Sequence, residues 1–277
     1  MVWRKLTKER LEDTKAQFAA NGKVMQWYAM ASEVLLTTLG PEWWKKNRSS
    51  SPKRDRFLQA SESEDSDWNH QVRVIQLGDM LFLLKDCEGF DAFISSLKTR
   101  DLESVFFELY TAKMLHGNGF VIEFIEESGE KQKDYDLFAK RGEDPICVEA
   151  KSRRSGAVLT AGKLKSTLET ARKQLPAAGP GIVFVQIPHE WPATPDSERI
   201  IGGCIGSFLR NSGRVNSVIV VWQRWFPIGT GRGSAWIVRQ FDNQNPRTSA
   251  SLGQIIKPLE FPPDLSFENQ LYSPSFW

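Results

Sequence analysis

Lys133-Asp134-Tyr135-Asp136-Leu137-Phe138-Ala139 and, after the turn Arg141-Gly142-Glu143-Asp144, Pro145-Ile146-Cys147-Val148-Glu149-Ala150-Lys151 decide how the chain is read. Both pieces read as β-strands. In the second, Glu149 and Lys151 are two residues apart and share one face, while Val148 and Ala150 point to the other. If the turn lets the strands pair, Asp136 faces Glu149, and a carboxylate pair with an amine beside it makes a metal site. Asp134 has the same parity as Asp136, so alternation alone leaves both open. Upstream, Leu102, Val105, Phe106, Leu109, Ala112 and Leu115 fall at helical spacing, with Glu108 at the border of the stripe and Glu103 as its competitor. A third acid is thus available. Hard oxygen donors in this arrangement suit Mg²⁺ set against anionic phosphate oxygens.

Working outward, Gly117-Asn118-Gly119 supplies a helix stop. Phe120 to Glu126 reads as a strand, and the Glu-rich turn up to Lys133 makes a hairpin with the strand that follows. After Lys151 a basic loop, Ser152-Arg153-Arg154-Ser155-Gly156, leads to a helix with Leu164, Leu168, Ala171 and Leu175 on one stripe. Ile182 to Ile187 is a near-continuous apolar run suited to a strand buried on both faces. Pro195 and Asp196 open another helix. Two last strands, Val215 to Trp225 and Ser234 to Phe241, are joined by Gly229-Thr230-Gly231-Arg232-Gly233, which precedes a strand and is therefore a hairpin turn instead of a dinucleotide loop.

The order of helix with Glu, strand with Asp, strand with Glu-x-Lys and then an amphipathic helix resembles the PD-(D/E)XK nuclease superfamily over roughly residues 101 to 190. The resemblance implies an α/β fold of the restriction-endonuclease-like type, a mixed central sheet flanked by helices. It also implies a Mg²⁺-dependent nuclease, with Mn²⁺ as a substitute, that hydrolyses DNA phosphodiester bonds in restriction, phage defence or repair. On this pattern the catalytic residues are Asp136, Glu149, Lys151 and Glu108, with Glu108, Asp136 and Glu149 as metal ligands. Asp136 is preferred over Asp134 because it directly precedes an apolar pair, and Glu108 over Glu103 because of its Phe106-Phe107-Glu108-Leu109 surroundings. No proline precedes Asp136, a position the family varies freely. Lys151 would orient or deprotonate the attacking water, or steady charge in the transition state. The expected phosphate-tracking residues are Arg153, Arg154, Lys163, Lys165, Arg172 and Lys173. A catalytically silent nucleic-acid-binding or assembly subunit of the same fold is the alternative. RNA as substrate, a homodimer and membership of a defence or repair complex stay open.

The remaining sequence fits this frame. The chain has 277 residues and a net charge of +2, so contact with nucleic acid has to come from local clusters. Cys87, Cys147 and Cys204 are odd in number and widely spaced, which argues against disulfides and zinc and for a reducing cytoplasm. No apolar run reaches membrane-spanning length. Residues 1–98 read as a helical region, with helices around Leu11 and around Trp27 to Leu39 broken at Asn21-Gly22 and two more between His70 and Leu97. A charged, Ser-rich linker at about 45–67 interrupts it, with little to bury. Residues 99–245 form the nuclease-like core, and 246–277 a tail that wraps the surface. Trp43, Trp44, Trp222 and Trp225 suit base stacking or, more often, a core.

Overall fold

A computed structural model describes residues 6–48, 57–58, 64–130, 132–153, 157–228 and 231–248. The protein is α/β, and the chain divides into two compact units. Among the described residues the first holds the chain up to Asp86 together with Ile94–Leu109, and the second holds Cys87–Phe93 and the chain from Tyr110 onward.

The first unit is helical. Helix α1 (Lys8–Gln17) starts at Thr7, whose hydroxyl accepts from the Arg10 amide at 3.3 Å, the usual way to satisfy an open N-terminal donor. Helices α2 (Lys23–Leu39), α3 (Pro41–Arg48) and α4 (Glu64–Leu84) follow. Gly22 and Gly40 bracket α2 at φ 83° and 91°, a backbone region that favours glycine. Leu11, Met30, Ala31, Leu35, Ile75 and Leu77 are in its core. α2 and α4 touch so closely that a Cβ on Gly78 would stand 2.7 Å from the Ala31 backbone. Helices α5 (Phe90–Leu97) and α6 (Leu102–Gly117) each run from one unit into the other.

The expected linker at 45–67 is shorter than its composition suggests. Its ends belong to α3 and α4, because Pro41 occupies the first turn of a helix, where its missing N–H costs nothing, instead of only ending the helix before it. Between them Leu58 is buried, its carbonyl accepting from His70 Nδ1 at 2.7 Å, and Arg73 donates to the Phe57 carbonyl at 2.9 Å. The other residues of this stretch lie outside the described ones.

The second unit is built on a six-stranded mixed sheet whose spatial order follows the chain, β1 (Val121–Phe124), β2 (Leu137–Arg141), β3 (Asp144–Ser152), β4 (Gly181–Gln186), β5 (Val215–Ile228) and β6 (Gly231–Asp242). β3, β4 and β5 are parallel to one another and the other neighbours antiparallel. The parallel connections run through α7 (Ala161–Gln174) and α8 (Ser197–Arg210). Leu164, Leu168, Ala171 and Leu175 pack with Ile201, Ile205 and Phe208 onto Val183, Val185, Val218 and Val220, forming one core on one sheet face. Leu137, Ala139, Val148, Ile182, Phe184 and Ile219 are buried on the other. β4 has all its apolar side chains buried, as the Ile182 to Ile187 run requires. β5 and β6 are longer than expected, since pairing continues through Pro227 to Ile228 opposite Gly231. Arg247 and Thr248 begin the tail and are tied back to the Gly213 carbonyl and to Asn216; the expected wrapping beyond Thr248 falls outside the described residues. No helix among the described residues is long and apolar enough to cross a membrane.

Candidate active site on the second and third strands

β2 and β3 form the expected hairpin, with Leu137 opposite Val148 and Phe138 opposite Cys147. Continuing that register by one pair sets Asp136 across from Glu149, and alternation puts both on the face of Cys147 and Lys151. Asp136 is the last residue before β2. The Ile125 amide bonds to its carbonyl at 3.1 Å, and its carboxylate accepts from the Ala150 amide at 2.7 Å, so the side chain is fastened to β3 between Glu149 and Lys151. The Glu149 side chain is 0% exposed and forms an ion pair with Lys151, whose side chain retains 26% exposure. An ionised carboxylate so fully removed from water is stable only beside compensating positive charge. Here that charge comes from Lys151, which leads from the carboxylate toward solvent.

Asp134 is used differently. It accepts from the Ser128 amide and hydroxyl at 2.7 and 2.8 Å, which hold its carboxyl below the usual range. It closes the turn before β2, while Asp136 is on the strand face. The Gln174 side-chain amide, at the end of α7, donates to the Asp134 carbonyl at 3.2 Å and ties that helix to the same turn. Glu108 belongs to the first unit, where it is buried and paired with Arg100. Cys147, on the same face as Glu149, is kept as a neutral thiol because burial pushes its pKa up, against a smaller opposite effect of the Tyr135 hydroxyl.

The expected phosphate-tracking residues separate into groups. Lys163, Lys165 and Lys173 are exposed on α7, and Arg172 is half-buried, paired with Glu169 at 2.5 Å. Arg153 is turned inward. Its Nε donates to the Thr167 hydroxyl at 2.6 Å and its guanidinium to the Lys163 carbonyl at 3.0 Å, while its backbone amide bonds to Gln186 at 3.0 Å. It locks the end of β3 to α7 and β4. A basic residue just after a strand with Glu-x-Lys reads in sequence as a phosphate contact, and the only hint of the inward role is a threonine on the buried face of the next helix. Arg154 lies outside the described residues.

Among the described residues no group of three or more His, Cys, Asp and Glu side chains that could hold a metal occurs. The donor set that Asp136 and Glu149 offer fits a hard divalent cation of the Mg²⁺ type, which keeps several waters and takes one or two carboxylates together with substrate phosphates. Trp43 and Trp44 are buried in the first unit, and Trp222 packs against the core under α8, so these three are core residues first. The chain matches none of the protein-family models and none of the curated proteins it was compared with.

Proposed function

We propose that the protein is a metal-dependent nuclease of restriction-endonuclease-like fold, with Asp136, Glu149 and Lys151 as its active-site residues and DNA as its substrate. The observation that supports this reading is the placement of a fully buried carboxylate, its lysine partner and the anchored Asp136 on one face of two adjoining strands. Packing alone has no use for such an arrangement, because apolar side chains there would cost less. When bound, Mg²⁺ supplies positive charge against the scissile phosphate. Asp136 and Glu149 would hold it, their orientation set by the Ala150 amide and by Lys151. The Lys151 amine, partly exposed at the mouth of this arrangement, is set to orient the attacking water, accept its proton or steady the charge that develops on the phosphate. Lys163, Lys165, Lys173 and Arg172 on α7 are the proposed backbone contacts, and Glu108 is proposed as a third acid of the reaction on the sequence pattern alone.

The test is cleavage of plasmid and single-stranded DNA with Mg²⁺, Mn²⁺ and Ca²⁺, beside binding measured in Ca²⁺. Cleavage with Mg²⁺ and Mn²⁺, and binding without cleavage in Ca²⁺, are expected. Binding with no cleavage under any metal would make the protein a silent binding subunit.

A further inference from the structure

The β5–β6 hairpin outgrows the sheet. β4 pairs with β5 only as far as Val221, opposite Gln186, yet β5 and β6 stay paired from Trp222 opposite Ile237 to Ile228 opposite Gly231. This two-stranded ribbon is about 20 Å long at the usual rise per residue. It leaves the sheet at the end where Lys151 is found, because Lys151 is in register with Val185 and Val220, and Trp222 comes two residues after Val220 on the same face. Arg224, which is exposed, and Phe226, which is half-buried, continue that face, opposite the small residues Ala235 and Gly233 across the ladder.

The charge of the hairpin is one-sided. From Arg214 to Phe241 the sequence has four arginines and no Asp, Glu or Lys, in a chain with 34 acidic residues. Two of these arginines are engaged, Arg214, before β5 and at the opposite end of that strand from the ribbon, with the Leu175 carbonyl at 2.9 Å, and Arg239, at the root of the ribbon, with Glu198 at 2.9 Å. Arg224 is exposed and makes no ion pair among the described residues. The root is anchored on both faces, by Trp222 on the core under α8 and by Trp236, whose ring stacks on Tyr110 with centroids 4.2 Å apart.

We infer that this ribbon enters the major groove of duplex DNA, with Arg224 on the phosphate backbone and Phe226 against sugar or base edges. The inference rests on the nuclease reading for its choice of partner. The major groove admits a two-stranded ribbon, whereas a ribbon of this width has no comparable fit to a single strand. A hairpin that has arginine and no acidic residue of its own suits phosphate attraction, and a ribbon rooted beside the Lys151 row would keep the duplex next to the active site.

The experiment is fluorescence anisotropy of a labelled duplex and of the matching single strand in Ca²⁺ over a range of salt, for the wild type, Arg224→Ala, Arg224→Lys, Phe226→Ala and Arg239→Ala. Arg224→Ala should weaken duplex binding about 3- to 10-fold and lower the salt slope by about 0.9, the effect of one lost phosphate contact. Arg224→Lys should restore the slope, Phe226→Ala should weaken binding with the slope kept, and Arg239→Ala should change neither. An unchanged slope and affinity in Arg224→Ala, or equal weakening on the single strand, would overturn the ribbon. Cleavage of the same duplex by the wild type in Mg²⁺ is read separately: its absence with the Arg224 effect intact defeats the nuclease reading alone, and its presence without that effect defeats the ribbon alone.

Discussion

β3 and β4 are parallel neighbours in one sheet, and residue by residue they answer the same packing problem differently. Glu149 stands beside Val183 and Lys151 beside Val185, on the face covered by α7 and α8. Val183 and Glu149 are both wholly buried. The valine gains from leaving water, whereas the carboxylate loses its hydration and recovers only what Lys151 and its other surroundings return. Since β4 shows that valines fit this face, the charges on β3 are a departure from the best-packed solution. Departures of this kind mark candidate functional sites.

The comparison can be broken most severely through the chemistry. Lys151→Ala and Glu149→Ala should each reduce turnover by about 10² to 10⁴, with DNA affinity held within a few fold, because the interactions lost belong to the transition state. Extra Mg²⁺ should partly rescue Glu149→Ala and leave Lys151→Ala unaffected. A rate loss matched by an equal affinity loss would assign both residues to binding.

Stability gives the next effect. Lys151→Ala removes the cation beside a buried carboxylate and should destabilise by about 3 kcal/mol, whereas the double change Glu149→Val with Lys151→Val, which copies β4, should be neutral or more stable by about 1 to 4 kcal/mol. Urea denaturation of the three proteins measures both. A double variant less stable than Lys151→Ala would mean that the charges are retained for the fold.

How much of this was legible in the sequence depends on whether the determining signal is local. The Glu149–Lys151 alternation, the apolar run of β4 and the α7 stripe are set by the period of one element, and the structure has them where the pattern puts them. The exchange of Asp134 and Asp136 between turn and strand face is not local. It depends on Ser128, six residues before Asp134, and on the Ala150 amide, fourteen residues after Asp136. Helix α3 was hidden because Pro41 after Gly40 marks a stop as well as a start. The length of β5 and β6 was hidden because Pro227 and the glycines beyond it read as loop, although an edge ribbon tolerates both. Nothing local announces that Arg153 bends back to Thr167.

That last contact predicts a smaller effect. Arg153→Ala should lower stability by about 1.5 to 3 kcal/mol, the range for hydrogen bonds to a charged group, and leave the salt slope of DNA binding unchanged. Lys165→Ala, on the exposed side of α7, should lower the slope and leave stability alone. The reverse pattern would return Arg153 to the phosphate surface.

The smallest effect concerns the turn before β2. Ser128 holds the Asp134 pKa below its unfolded value, so the stability it adds is complete above that value and is lost as the pH falls through the folded one. Acid unfolding of Asp134→Asn should therefore be less steep below about pH 4 than that of the wild type. An identical acid limb would mean that this turn does not contribute.

The claim at the centre of the comparison is that β3 keeps its charges in order to hold a cation, and Mn²⁺ binding followed by electron paramagnetic resonance tests it without relying on any substrate. The wild type should take up one Mn²⁺ that Mg²⁺ displaces. Asp136→Asn and Glu149→Gln should weaken that binding about tenfold or more, the cost of about 1.4 kcal/mol in a lost charged ligand. Mn²⁺ binding equally tight in the wild type and both variants, or none in the wild type, would contradict the account.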